Sequence, residues 1–325
     1  MIVVTGAGGF IGSHLVEGLV RRGERVLGLD LASMTPPNLA GVEFNFRYTK
    51  CDVKDRSKLA DSLPSSATAV VHLAASVGVE TYVKDPLGTI DNIVIGTRNL
   101  VELASIRKFR LVYLSTSEVY GKNPSVPWNE KSDRVLGAPS VDRWSYSTSK
   151  SLCEHMINAV VRKGDAAATI IRPFNVYGPR QRPAFVIPAA IQQVLNGKPP
   201  LIYDEGTQSR CFTYVSDLVE GIMRCIDADE AANETFNMGS EQETTIRELI
   251  RTILRLCDSD FEPETLSTGY NFGEGYEDIP RRIPDCSKAL RLLGWKPNTE
   301  LESGIRKTIE WAKRHPEWLR SQTKP

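Results

Sequence analysis

Residues 2–12 read IVVTGAGGFIG, and their reading decides the fold. The first four are an apolar, β-branched run of the kind that forms a buried parallel strand. Glycines follow at 6, 9 and 12, and then a helical pattern through Leu15, Leu19 and Val20. Gly6 permits a tight turn. Gly9 lets backbone N–H groups approach a pyrophosphate at the helix N-terminus, and Gly12 lets helix and strand pack closely. Phe10 and Ile11 belong to the same cradle. The spacing is GxxGxxG rather than GxGxxG, so its weight comes from the strand before it and the helix after it. A second strand over 25–29 ends at Asp30. A carboxylate roughly 20 residues past the glycines accepts from both ribose hydroxyls of an adenosine and repels a 2′-phosphate. The expected cofactor is therefore NAD rather than NADP.

Working outward, 31–42 reads as a loop broken by Pro36 and Pro37. A third strand near 43–49 runs into Cys51, Asp52 and Val53. Asp52 either meets the adenine amino group or caps a helix. A fourth strand over 69–73 runs through Leu73 into Ala74 and Ala75, whose small side chains leave room for a cofactor backbone. His72, inside that apolar run, reads as a packed core residue. A long amphipathic helix follows Pro86, with Asn92 on it either as a satellite of the active site or as a polar core residue. The apolar run 111–114 ends in Ser115-Thr116-Ser117-Glu118. Ligands of open α/β sheets sit beyond the carboxyl ends of the strands, so chemistry is expected here. Tyr146 and Lys150 share one face of a helix that continues through Leu152, Met156 and Val160. An ammonium beside a phenol favours the phenolate, lowering its pKa from about 10, and such a phenolate removes a proton from a hydroxyl. With a further strand over 167–171, β and α alternate through about residue 172. That pattern implies an α/β fold, a doubly wound parallel sheet of Rossmann type.

Beyond Pro173 proline and glycine become frequent and the alternation stops. Residues 186–195, 218–225, 245–257, 286–293 and 301–314 read as helices and 201–203 as a short strand. The expected division gives 1–173 and 211–236 to the NAD-binding domain, and 174–210 and 237–325 to a smaller α+β substrate domain. Lys+Arg and Asp+Glu both number 40 in 325 residues, which argues against a nucleic-acid footprint or a polybasic membrane anchor. The six cysteines are scattered without a CxxC pair and there are four histidines, so no metal site is expected. The thiols read as reduced and buried. No basic leader and no membrane-length apolar run is seen, and the expected location is the cytoplasm.

The motifs together carry a resemblance. GAGGFIG (6–12) with Asp30, STSEVYG (115–121), YSTSK (146–150), RPFNVYGPR (172–180) and RCFTYVSD (210–217) are similar to extended short-chain dehydrogenases acting on nucleotide sugars. The resemblance covers nearly the whole chain. It implies NAD chemistry on a UDP-sugar, with Tyr146, Lys150 and Thr116 catalytic and Ser115 and Pro173 at the cofactor. The pair Ser117-Glu118 resembles that of UDP-glucuronate decarboxylases, where 4,6-dehydratases carry Asp-Glu. Residues 142–146 and 275–284 are similar to the decarboxylase domain of the lipid A aminoarabinose pathway, and Arg282 matches a catalytic arginine there. The resemblance also implies substrate contacts at Asn175, Arg180, Arg210 and Tyr276; for the arginines a surface ion pair is the alternative. Residues 178–183, GPRQRP, instead resemble a group of 4-epimerases, including those acting on UDP-glucuronate. Many members dimerise through a helix bundle, which 86–106 and 143–163 would supply here.

The expected reaction is oxidation at C4 of the sugar and decarboxylation of the resulting β-keto acid, converting UDP-glucuronate to UDP-xylose or a UDP-4-keto-pentose. Tyr146, ionised with help from Lys150 and the cationic nicotinamide, takes the C4 hydroxyl proton while Thr116 fixes that oxygen. The resemblance places Glu118 and Arg282 near C5 and the carboxylate, one of them orienting the group and assisting C5 protonation, with Ser117 hydrogen-bonding the carboxylate. A 4-epimerase remains open, as does a 4,6-dehydratase with Glu118 as its acid. A non-catalytic NAD-sensing protein would be expected to lose the Tyr/Lys/Thr set, which is intact.

Overall fold

The apolar run at the N-terminus becomes the central strand of a seven-stranded sheet. The structure, a computed structural model, describes residues 1–78, 81, 84–267 and 277–321. The large sheet holds β1 (Ile2–Thr5), β2 (Val26–Asp30), β3 (Phe46–Lys50), β4 (Ala69–His72), β5 (Arg110–Leu114), β6 (Ala168–Pro173) and β11 (Thr235–Met238). Their order is β3-β2-β1-β4-β5-β6-β11, and every pairing is parallel. The doubly wound parallel sheet is thus as expected, and the chain reverses direction across the sheet between β1 and β4. A crevice opens at such a point on the carboxyl edge.

Parallel strands covered on both faces must be apolar at successive residues, and these are. Val4, Val26, Val71, Val112 and Ile171 face a core built with α1 (Phe10–Arg21) and the later helix α6 (Val215–Asp227). Val3, Leu27, Val70, Leu111 and Ile170 face the other way. There they meet α2 (Arg56–Ser62), α3 (Pro86–Arg107) and α4 (Arg143–Arg162). α3 starts where Asp85 accepts the Gly88 N–H at 2.9 Å and Pro86 takes the first turn. It stops at Lys108, in the left-handed region with φ 60°.

The second part of the chain adds α5 (Val186–Leu195), α7 (Ile246–Leu256), α8 (Ser287–Leu293) and α9 (Leu301–Lys313), with three small sheets, two of which pair β7 (Val176–Tyr177) with β10 (Thr213–Tyr214) and β8 (Leu201–Tyr203) with β13 (Glu264–Leu266). One of these matters for the site: β12 (Glu243–Thr245), β9 (Ser209–Cys211) and β14 (Arg281–Arg282), in that order. α7 is closed at its N-terminus by a capping box of Thr245 and Glu248. β11 lies in a stretch where no strand was expected, and β3 begins at Phe46 rather than near 43. All six cysteines are free thiols, five of them buried. Among the described residues no helix is long and apolar enough to cross a membrane.

Candidate active site

The glycine turn is shaped by contacts that forbid side chains. Gly6 has φ +70°, and a Cβ there would lie 2.8 Å from the Ala74 nitrogen at the end of β4. A Cβ on Gly12 would lie 2.1 Å from the Gly6 carbonyl oxygen, so α1 rests directly on the turn. Gly9 caps α1 without a side-chain hydrogen bond, and the first turn carries no acidic residue. The helix therefore presents free N–H groups and its positive end to the crevice. Asp30 closes the far side: its Oδ2 accepts the Gly8 N–H at 2.8 Å and its Oδ1 the Leu31 N–H at 2.7 Å. Phe10, Ile11, Leu73, Ala74 and Ala75 are partly exposed around the same turn. These residues fit a dinucleotide.

At Asp52 the helix-cap alternative is overturned. The N-cap of α2 is Asp55, which accepts the Lys58 N–H; Asp52 instead accepts the Lys54 N–H at 2.9 Å in the preceding turn. Val53 is buried, its methyl standing where a Cβ on Gly96 of α3 would come within 2.6 Å. His72 is a core residue, bonded to Thr5 at 2.8 Å and Thr97 at 3.2 Å. Burial and then the Lys150 charge hold its pKa at about 3. Asn92 donates to Ser76 at 3.1 Å.

At the end of β5, Ser115, Thr116 and Ser117 are all buried. Thr116 caps a short 3₁₀ turn, Ser117–Tyr120, accepting the Glu118 N–H at 3.2 Å. Tyr146, on the first turn of α4, is hydrogen-bonded to Thr116. Lys150, one turn on, donates to the Leu114 carbonyl at 2.7 Å and lies 4.7 Å from the centre of the Tyr113 ring. Burial, and then the charge of Glu118, push the Tyr146 phenol well above its usual range, and the Thr116 hydrogen bond offsets only part of this. Burial also lowers Lys150 to about 8. In the protein alone, burial of the phenol outweighs any help toward ionisation. The ammonium faces a strand carbonyl, and desolvation dominates.

The second half of the site is a carboxylate among arginines. Glu118 Oε1 accepts from Arg282 Nη1 at 3.1 Å and lies 3.6 Å from Arg143 Nη2. Burial works to raise the Glu118 pKa, but Arg282 and Arg143, with Arg210 farther off, outweigh it and hold the carboxyl below its ordinary range. Glu118 Oε2 and Arg282 Nε are buried without a hydrogen-bond partner among the described residues. Arg210 lies opposite Arg282 in the β9–β14 pairing and donates to Asp278 at 2.8 Å.

Arg143 is the residue the sequence reading missed. It is 1% exposed, at the start of α4, and stands three positions before Tyr146 on the same helix face. That spacing was the available signal.

Other expected substrate contacts lie apart from this cluster. Arg180, at φ 70°, pairs with Glu17 on α1. Asn175, at φ 36°, donates to the Cys211 carbonyl at 3.0 Å. Pro173 ends β6 opposite Met238. Tyr276 lies outside the described residues.

A dinucleotide cradle thus stands at the ends of β1 and β4, and a Tyr/Lys/Thr set and an arginine-ringed glutamate stand at the end of the adjoining β5. The sequence profile of the NAD dependent epimerase/dehydratase family matches residues 2–239. The chain belongs to that family. Relatives of this epimerase/dehydratase chain include the UDP-N-acetyl-α-D-glucosaminuronate decarboxylase of Bacillus cytotoxicus, 37% identical over 316 residues, 95% of this chain and 96% of that protein. UDP-glucuronic acid decarboxylase 1 of Xenopus tropicalis is 33% identical over 97% of this chain and 73% of its own length. Among solved structures, the UDP-glucose 4-epimerase of Thermotoga maritima with UDP-glucose superposes with a TM-score of 0.87 at 28% identity, covering 97% of this chain and 99% of that one. A dTDP-glucose 4,6-dehydratase of Streptomyces venezuelae, a double mutant with NAD bound, gives 0.87 at 27% identity over 98% of each chain.

Proposed function

We propose that this family member is an NAD-dependent decarboxylase of a UDP-hexuronate, with UDP-glucuronate as its substrate. The observation that carries the reading is the pair of arginines at Glu118. The guanidiniums of Arg143 and Arg282 both meet that one carboxylate beside the Tyr146–Thr116 pair, and the buried Arg282 Nε has no hydrogen-bond partner among the described residues. A sugar with a C6 carboxylate offers these guanidiniums a second anion, and a neutral hexose does not.

NAD, held by the glycine turn and Asp30, supplies the hydride acceptor and a ring charge that favours the phenolate. Tyr146 takes the C4 hydroxyl proton, and Thr116 holds the same oxygen. Oxidation makes the C6 carboxylate β to a ketone, so the C5–C6 bond breaks with its electrons moving into the C4 oxygen. Tyr146 and Thr116 stabilise that oxyanion. Arg143 and Arg282 hold the carboxylate, Ser117 donates to it, and Glu118 keeps both arginines aligned. Because Glu118 is held ionised, its role is orientation, and C5 takes its proton from water. Loss of water from C6 would require an acid, which neither Ser117 nor an ionised Glu118 supplies, and this disfavours the 4,6-dehydratase reading. Arg210 and Asn175 are assigned to the diphosphate side. Arg180 is omitted, since Glu17 holds it. The seven-stranded unit is assigned to the cofactor, and 174–210 and 237–325 to the nucleotide sugar. A homodimer through α3 and α4 completes the reading.

The test is incubation of the purified protein with UDP-glucuronate and NAD, followed by mass spectrometry. Loss of the mass of carbon dioxide is expected. A mass-neutral product would replace this reading with a 4-epimerase. UDP-N-acetylglucosaminuronate is the second substrate to assay, because a relative is named as its decarboxylase and that sugar too carries a C6 carboxylate.

A further inference from the structure

A buried polar chain runs behind both halves of the site. Glu154, one turn past Lys150 on α4 and 5% exposed, accepts the Ser115 hydroxyl. It also takes a two-pronged donation from Nε and Nη2 of Arg172, the former at 2.9 Å. Nη1 of Arg172 donates to the Tyr120 hydroxyl at 2.8 Å and the Glu130 carbonyl at 3.1 Å. Tyr120 donates to Asn237 Oδ1 at 2.7 Å. Asn237 Nδ2 donates in turn to the carbonyls of Trp128 at 2.8 Å and Asp285 at 3.3 Å.

The directions are fixed by chemistry. Arginine only donates, so the Tyr120 oxygen accepts from it and the single phenolic proton goes to Asn237. A buried ion pair is weak evidence for stability, because desolvating two charges offsets most of their attraction. Its value here lies in where its neighbours stand. Ser115 precedes Thr116, and Glu154 is one turn from Lys150. Tyr120 closes the 3₁₀ turn that carries Glu118. Asp285 lies three residues past Arg282, in a segment held to Trp128 through Asp285 N–H at 2.7 Å. The chain therefore spans the gap between the groups that oxidise C4 and the groups that hold the carboxylate.

Resting on the function proposed above, we infer that Glu154, Arg172, Tyr120 and Asn237 form a positioning frame that couples C4 oxidation to carbon loss by fixing the distance between the two halves. None of the four touches the reacting atoms. Loosening the frame leaves each half able to work and spoils their register, so the oxidised six-carbon sugar accumulates before it can lose carbon dioxide.

The decisive variant is Tyr120→Phe. It removes the hydroxyl and keeps the ring stacked on Trp128, with centroids 5.1 Å apart. The reaction is quenched with borodeuteride, and the six-carbon 4-keto sugar is counted against the five-carbon product by mass. The five- to six-carbon ratio is expected to fall at least about fivefold, the scale of one buried hydrogen bond, since the hydroxyl makes two, with Arg172 and Asn237. NAD affinity, measured by calorimetry, is expected to hold. Glu154→Gln is the second variant and shifts the ratio in the same direction. A merely structural role would lower the melting temperature and both products together, leaving the ratio unchanged. An unchanged ratio in Tyr120→Phe overturns the inference. If the wild-type protein releases no carbon dioxide, the proposed function has failed instead, and the two failures are told apart by that control.

Discussion

Lys150 sets stability against use. Its folded-state pKa of about 8 lies below the ordinary 10.5, so the unfolded chain holds the proton more tightly. The burial penalty is therefore complete below pH 8, fades between pH 8 and 10.5, and is gone above. Lys150→Met should stabilise the protein at pH 7 by about 2 kcal/mol, after discounting for the lost hydrogen bond to Leu114. The gain should shrink as the pH rises, and turnover should be lost. Urea unfolding at pH 7 and pH 10 tests this; a variant no more stable than wild type at pH 7 would refute it. Arg143 carries the second residue-scale prediction. Arg143→Met keeps the length of the side chain and removes one of the two guanidiniums at Glu118. Decarboxylation should fall about 100-fold in kcat/KM, as for a lost charged hydrogen bond. C4 oxidation of a neutral UDP-hexose should fall far less. Equal losses on both substrates would mean that Arg143 does not read the carboxylate.

Among the elements, α1 is pinned directly against the glycine turn. A Cβ on Gly12 has a backbone oxygen 2.1 Å away, which no rotamer can relieve. Gly12→Ala must push α1 off the turn, at a cost of about 2 kcal/mol or more. A lower melting temperature and weaker NAD binding are both expected, and a variant unchanged in both would show α1 free to slide. The same local logic explains what the sequence made legible. Long elements with a clear period, such as α7 and α9, and strands buried on both faces, such as β1 and β5, announce themselves through local composition. β9, β12 and β14 are two or three residues each and hold together only through one another, so no local pattern marks them. β11, TFNM, alternates polar and apolar residues weakly and joins the sheet by pairing with β6. The site divides in the same way. Thr116, Tyr146 and Lys150 follow from a strand end and a helical repeat. The grouping of Arg143 and Arg282 around Glu118 depends on β14 reaching the end of β5, across more than a hundred residues. Arg180 takes the ion-pair alternative, with a partner, Glu17, that lies far along the chain on α1.

At the scale of the whole molecule, the face formed by α3 and α4 remains open. These helices pack side by side, and their outward sides carry Leu87, Ile95, Ile106 and Leu152, between 41% and 68% exposed. Covering one such side chain contributes about 1.5–3 kcal/mol, and a chain of zero net charge meets little overall repulsion on pairing with a copy of itself. A second copy of the chain is therefore the expected occupant, each pair of helices lying against its equivalent. Leu152 lies two residues past Lys150 but points outward, while Lys150, Cys153 and Glu154 point in. Leu152→Glu should leave the interior of α4 intact and place a charge, together with its symmetry copy, in the interface. Sedimentation at micromolar concentration should find wild type dimeric and the variant dissociating at least tenfold more readily. Because α4 carries both Tyr146 and Lys150, activity per subunit should fall on dilution in step with dissociation, and earlier in the variant. If both proteins sediment as monomers with concentration-independent activity, this face is not an interface and α4 is rigid enough alone.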